Sequence, residues 1–321
     1  MPATVKYHGH LFVVGPGLDE VLEPGKRLVL LDEFYADLYG EYFFLGYDVL
    51  AETINLSRGD TIGAYTAAVL LDGDPAVVVC GQNPWNCVVG LAAYMVLWGN
   101  TEPLDAVKQA WNTLAKLYPG REELVVPRQA LAALHGLKAA LEAAGSRDRL
   151  GPLIALASNY EYGRGRLHYG ESIAWAAGLG ATPLQVLTVL LHFLAEGPGG
   201  PPATILRQRL EAVGEANLLS LLGPDAEEAL AALRAYCRGD MDDSAAALLA
   251  LIESLRPGEP GVNHVGREGD KLLVYCSSGG EGEPVRECVE AVGQADKLLS
   301  KTGLGLSGVK VVPGEPEPLR L

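Results

Sequence analysis

Residues 76–95, AVVVCGQNPWNCVVGLAAYM, leave the chain few options. A β-branched apolar run ends at Cys80, a stretch of polar and turn-forming residues follows, and from Cys87 onward the pattern is helical. Strand, loop and helix in that order bring the loop amides and the start of the helix toward one point, with Cys80 at its edge. This is an arrangement that holds anions.

The surrounding segments are of the same kind. HLFVVG and RLVLLDEF read as strands, YFFLGYDVLAETIN contains a third, and TIGAYTAAVLL reads as a helix feeding the strand AVVVC, which together predict an α/β fold. Three helical segments follow the loop: CVVGLAAYMVLWG, PLDAVKQAWNTLAKLYP and VPRQALAALHGLKAALEAAG. Gly99 and Asn100 stop the first, Pro103 lies in the opening turn of the second, and Pro119 with Gly120 closes it.

Beyond residue 146 the character changes. Residues 147–256 are rich in Ala and Leu at helical spacing and predict a helical domain. RPGEPGVN then leads into a small α/β portion, residues 257–321, where DKLLVYC and VKVVPG read as strands flanking the helix PVRECVEAVGQADKLLSKTG. These late strands either form a unit of their own or extend the first sheet. No fixed-period repeat is present.

Composition narrows the function classes. A formal net charge of −15 over 321 residues argues against an overall electrostatic grip on nucleic acid or anionic lipid. The first residues lack the basic start and long apolar core of a signal peptide, and the apolar runs elsewhere are interrupted by Gly, Pro or charge, so the expected location is the cytoplasm. Five cysteines in a chain of this length do not read as a disulfide scaffold, and none has zinc spacing. No metal or cofactor is expected.

From residue 8 to 144 the order of elements resembles the protein tyrosine phosphatase superfamily, in its compact dual-specificity and archaeal forms. The resemblance rests on the strand ending at Cys80, the loop after it, and VVGLAAYMVLWGNTEPLDAVKQAWNTLAKLYPG, similar to the family's helix, turn and following helix. It makes residues 1–146 a phosphatase-like domain. The family's loop carries His, Cys, five residues, Arg, then Ser or Thr. Loop amides lower the Cys pKa so that a thiolate attacks phosphorus, the Arg fork binds two phosphate oxygens, and a separate Asp protonates the leaving oxygen.

Carried over residue by residue, the pattern is damaged. Cys80 stands at the nucleophile position, but Val79 replaces the His before it. Gly81, Gln82, Asn83, Asn86 and Cys87 would line the anion loop, with Asn86 where the Arg belongs and Cys87 in place of the hydroxyl residue. Pro84 removes one loop N–H. Asp48 lies too early and Asp60 too late to be assigned as the acid. An Asn in place of the Arg forfeits a charge-assisted contact of roughly 1.5–3 kcal/mol per hydrogen bond, so ordinary phosphatase activity is not expected. The resemblance also sets Cys80 and Cys87 face to face within disulfide range, and the expected resting state is two free thiols that bond under oxidant. Read without the resemblance, Cys80 is a small buried apolar residue and NPWN a turn.

Two other clusters bear on the site. NYEYGRGRLHYGE gathers tyrosines with Arg164 and Arg166, either a cation source for the anion loop or a solvated loop packed on helices. YCSSGGEGEPVREC reads as a tight connector. The favoured reading is a catalytically degenerate phosphatase-like protein with a binding or scaffolding role. The alternatives are a Cys80-dependent phosphate-processing enzyme using Arg164 or Arg166, and a structural interaction protein working through its helical domain. Phosphate-containing ligands and proteins are the expected partners; nucleic acid and membrane are not.

Overall fold

The computed structural model describes residues 3–14, 20–23, 25–31, 42–43, 45–51, 61–151, 166–195, 225–240, 243–255 and 261–321. The fold is mixed α/β, and the chain divides into two compact units. The first contains residues 1–137 together with 318–321, and the second residues 138–317. The helical stretch expected over 147–256 and the portion expected over 257–321, apart from its last four residues, therefore share one unit.

In the first unit a five-stranded sheet runs in the order β1 (Ala3–Tyr7), β2 (His10–Val14), β5 (Ala76–Val79), β3 (Arg27–Leu30), β4 (Asp48–Ala51). β1 and β2 form an antiparallel hairpin whose turn residues, His8 and Gly9, both have positive φ, 47° and 86°. That matches the twist of a two-residue hairpin. The other pairings are parallel. β5 lies between β2 and β3, and all four of its residues are buried. A central parallel strand covered on both faces needs a continuous apolar run, which is why AVVV does not alternate.

Helices α1 (Thr61–Asp72) and α2 (Trp85–Gly99) flank β5 in sequence and pack on one another. Gly90 lets them approach: a Cβ there would lie 3.3 Å from the Ala67 Cβ and 3.2 Å from the Leu31 Cδ1. α2 ends where the sequence predicts, with Asn100 in the left-handed region and its amide donating to the Met95 carbonyl. α3 (Pro103–Leu114) begins with Pro103 and buries Ala106, Val107, Ala110, Trp111 and Leu114, one face at helical spacing. A short β6 (Val125–Val126) precedes α4 (Arg128–Ala144) and pairs antiparallel with β10 (Leu319–Arg320). Arg320 Nη1 meets Glu123 Oε2 at 3.0 Å beside this ladder.

The second unit contains α5 (Arg166–Leu179), α6 (Pro183–Ala195), α7 (Asp225–Arg238) and α8 (Ser244–Ser254). Thr182 and Gln185 form a capping box at the start of α6: the Gln185 amide donates to Thr182 Oγ1 and the Thr182 amide to Gln185 Oε1. A three-stranded sheet follows, in which β7 (Val262–Glu268) pairs antiparallel with β8 (Lys271–Cys276), and β8 pairs parallel with β9 (Gly308–Pro313). Helix α9 (Arg286–Asp296) lies between β8 and β9 in sequence, as a parallel connection requires. The late strands thus form a sheet separate from the first, except β10, which returns to the first unit.

Among the described residues no helix is long and apolar enough to cross a membrane. The cysteine expectation is corrected. Cys80 is bonded to Cys87 and Cys276 to Cys288, leaving Cys237 as the free cysteine. Spacing alone hid these pairs, because each forms only when a strand end is brought against the first turn of the helix that follows.

Candidate functional site

Cys80 is the residue immediately after β5, and the sheet ladder continues into it through its amide, which donates to the Val13 carbonyl at 2.9 Å. Cys87 is the third residue of α2. Their Cα atoms are 5.7 Å apart, inside the range a disulfide needs, and the bridge closes the loop at its base. Both cysteines are buried, at 0% and 1% exposure. The expected juxtaposition is present. The expected resting pair of free thiols is not, and a sulfur held in this bridge is no nucleophile.

Between the two cysteines the residues divide by exposure. Gly81 and Pro84 are buried, Gln82 and Asn83 exposed, Trp85 and Asn86 half-buried. Pro84 caps α2 by accepting from the Val88 amide at 2.9 Å, and Asn83 Oδ1 accepts a long 3.4 Å bond from the Trp85 amide. The amides of Gly81, Gln82, Asn83, Asn86 and Cys87 have no hydrogen-bond partner among the described residues. Those of Asn86 and Cys87 belong to the first turn of α2, where donors go unmatched in any helix. The positive end of the helix dipole lies there too.

Two side chains that the sequence reading did not single out hold the loop from the connector after α3. The Tyr118 hydroxyl donates to the Gly81 carbonyl at 3.1 Å, in a buried setting. Arg121 Nη2 reaches the Gln82 carbonyl at 3.5 Å and is exposed. The available signal was the pair of residues flanking the Pro119–Gly120 turn, where Gly120 has φ of 85°. That turn, closed by the Arg121 amide donating to the Tyr118 carbonyl at 3.1 Å, leaves both side chains within reach of the loop after β5.

A second junction of similar design provides an internal contrast. β8 ends at Cys276, and Cys288, the third residue of α9, bonds back to it with Cα atoms 5.9 Å apart. Here the intervening loop is closed on itself. Ser277 donates to the Gly261 carbonyl and Gly279 to that of Glu283, both at 2.7 Å, and Val285 donates to that of Ser277 at 3.0 Å. This is the tight connector read from the sequence.

No protein-family model matches the chain, and no curated protein or solved structure matches it.

The remaining candidates lie elsewhere. Arg164 is outside the described residues, and Arg166 is the first residue of α5 in the second unit. Asp60 is also outside the described residues, and Asp48 begins β4. Among the described residues no group of three His, Cys, Asp or Glu side chains is placed to hold a metal ion. Among the described residues, Arg121 is a cation that the structure brings to the loop.

Proposed function

We propose that the first unit is a catalytically degenerate phosphatase-like domain that binds rather than hydrolyses, with the loop of residues 81–87 as an anion pocket for a phosphate-containing ligand. One observation carries the reading: Cys80 is bonded to Cys87 across a loop in which the amides of Gly81, Gln82, Asn83, Asn86 and Cys87 have no partner among the described residues. A phosphate there would take N–H donors from Gly81, Gln82, Asn83, Asn86 and Cys87. It would sit at the positive end of α2, with charge supplied by the Arg121 guanidinium. Asn86 offers an amide but no charge, so transition-state charge has no fork to receive it. What supports the family comparison is the placement of Cys80 at the end of a central, buried parallel strand that leads through a short loop into a helix.

The test is a calorimetric titration with inorganic phosphate, alongside an assay of aryl phosphate hydrolysis with and without strong thiol reductant. Binding without turnover in either state is the expected result. Hydrolysis that appears on reduction and is abolished by Cys80→Ser would replace this reading with a Cys80-dependent enzyme. Absence of phosphate binding would remove the pocket altogether.

A further inference from the structure

We propose that the Cys80–Cys87 and Cys276–Cys288 bridges are permanent cross-links, a matched pair of strand-to-helix staples with one in each unit, and that neither is a redox switch. The two share one design. In each, the first cysteine stands at the C-terminal end of a strand, the second is the third residue of the next helix, and the Cα atoms are 5.7 or 5.9 Å apart. The four cysteines are all essentially inaccessible.

The second junction argues for a staple. Its loop is tied across its base by the Gly279 amide donating to the Glu283 carbonyl and the Val285 amide to that of Ser277, around the Ser278–Pro284 β-bridge. A disulfide recurring at the same position beside a differently built loop has a mechanical purpose, fixing the first turn of a helix to the end of its strand. Burial points the same way. Reduction requires a thiolate to approach a bridge sulfur, and here both sulfurs are covered until the junction itself opens.

Formation needs an external disulfide, small or protein-borne. One cysteine thiolate attacks it, releasing a thiolate and forming a mixed disulfide; the partner thiolate then displaces the second thiolate. Two protons and two electrons leave the protein, and the oxidant is reduced to two thiols. The protein therefore works where disulfides persist, a condition met in oxidising compartments and inside hyperthermophilic cells but not in an ordinary reducing cytosol.

Cys237 serves as the internal standard, since it is free and half-buried, with burial pushing its thiol pKa up. The full chain is reduced in denaturant, refolded, and equilibrated in glutathione buffer with the reduced form in large excess. It is then acid-quenched, denatured, labelled with a maleimide and mapped by mass spectrometry. The expected result is one label per chain, at Cys237. Labelling at Cys80, Cys87, Cys276 or Cys288 overturns the proposal; labelling confined to Cys80 and Cys87 identifies a switch. The double variant Cys80→Ser, Cys87→Ser should still form the second bridge, and failure to do so would show that the staples are not independent devices. Phosphate binding is measured separately, so this result and the anion-pocket reading stand or fall apart from one another.

Discussion

The Tyr118 hydroxyl donates to the Gly81 carbonyl at 3.1 Å, so the segment after α3 holds the first residue of the candidate loop, next to the disulfide-bonded Cys80. Tyr118→Phe keeps the ring and removes the bond, leaving a buried carbonyl without its donor. The expected loss is about 1 kcal/mol of stability, within the range for such bonds. Hydrogen exchange at Gly81 and Gln82 should quicken. Unchanged exchange there would mean that the disulfide alone fixes the loop.

Arg121 supplies charge as well as its long contact to the Gln82 carbonyl. Because its side chain is exposed, its effect on phosphate affinity is bounded by solvent screening, and Arg121→Ala should weaken binding about 2- to 5-fold. Arg121→Lys should recover part of this loss, and the difference should shrink as salt rises. Calorimetric titrations at two ionic strengths provide the check.

His10 links stability to acidity. The Ala76 amide donates to its Nδ1 at 3.2 Å, which leaves the proton on Nε2 to donate to the Leu71 carbonyl at 2.8 Å. Burial pushes its pKa below the ordinary 6.5, opposed by the bond to Leu71 and aided by the nearby positive charges of Arg27 and His8. The unfolded chain therefore binds the extra proton first. Stability from the neutral ring is intact above about pH 6.5 and is lost as the pH falls from there through the folded pKa, with a slope no steeper than about 1.4 kcal/mol per pH unit for one proton. Urea titrations at intervals between pH 5 and 8 should reveal this slope, and His10→Gln should flatten it.

Gly90 of α2 packs directly against Ala67 of α1. Gly90→Val would press a branched side chain against Ala67 and Leu31, at an expected cost of about 1–3 kcal/mol. A denaturation midpoint equal to that of the wild type would show that the helices separate without penalty.

Much of this architecture was legible where local pattern and packing agree. AVVV, HLFVV and RLVL read as strands because they are buried on both faces, and α2 and α3 were bounded by Asn100 and Pro103 at the positions the structure uses. β1 was missed because its residues are only partly buried, so ATVKY carries little apolar signal. β7 was missed because VNHVGRE interrupts its apolar residues with Asn, His and Gly. At the candidate site the loop was legible as a strand-to-helix passage, but Tyr118 and Arg121 reach it only through the turn that follows α3. The bonded state of Cys80 and Cys87 was not legible, because free thiols were expected from a cytoplasmic location read off the first residues and the apolar runs, whereas the bond follows from a strand end meeting the first turn of a helix. The second bridge, on a different sheet, was hidden for the same reason.

The pairing of β6 with β10 has a kinetic consequence. Arg320 and Glu123 are 197 residues apart in sequence, and the ladder they flank has only two strand residues on each side, with backbone bonds between Leu124 and Leu321 closing its end. Bringing such distant segments together carries a loop-closure entropy that so few contacts offset poorly until both flanking regions are ordered. This ladder should therefore be the last part of the first unit to assemble, and the first to fray. During synthesis a ribosome must deliver the whole of the second unit before the sheet edge at Val125–Val126 can find its partner.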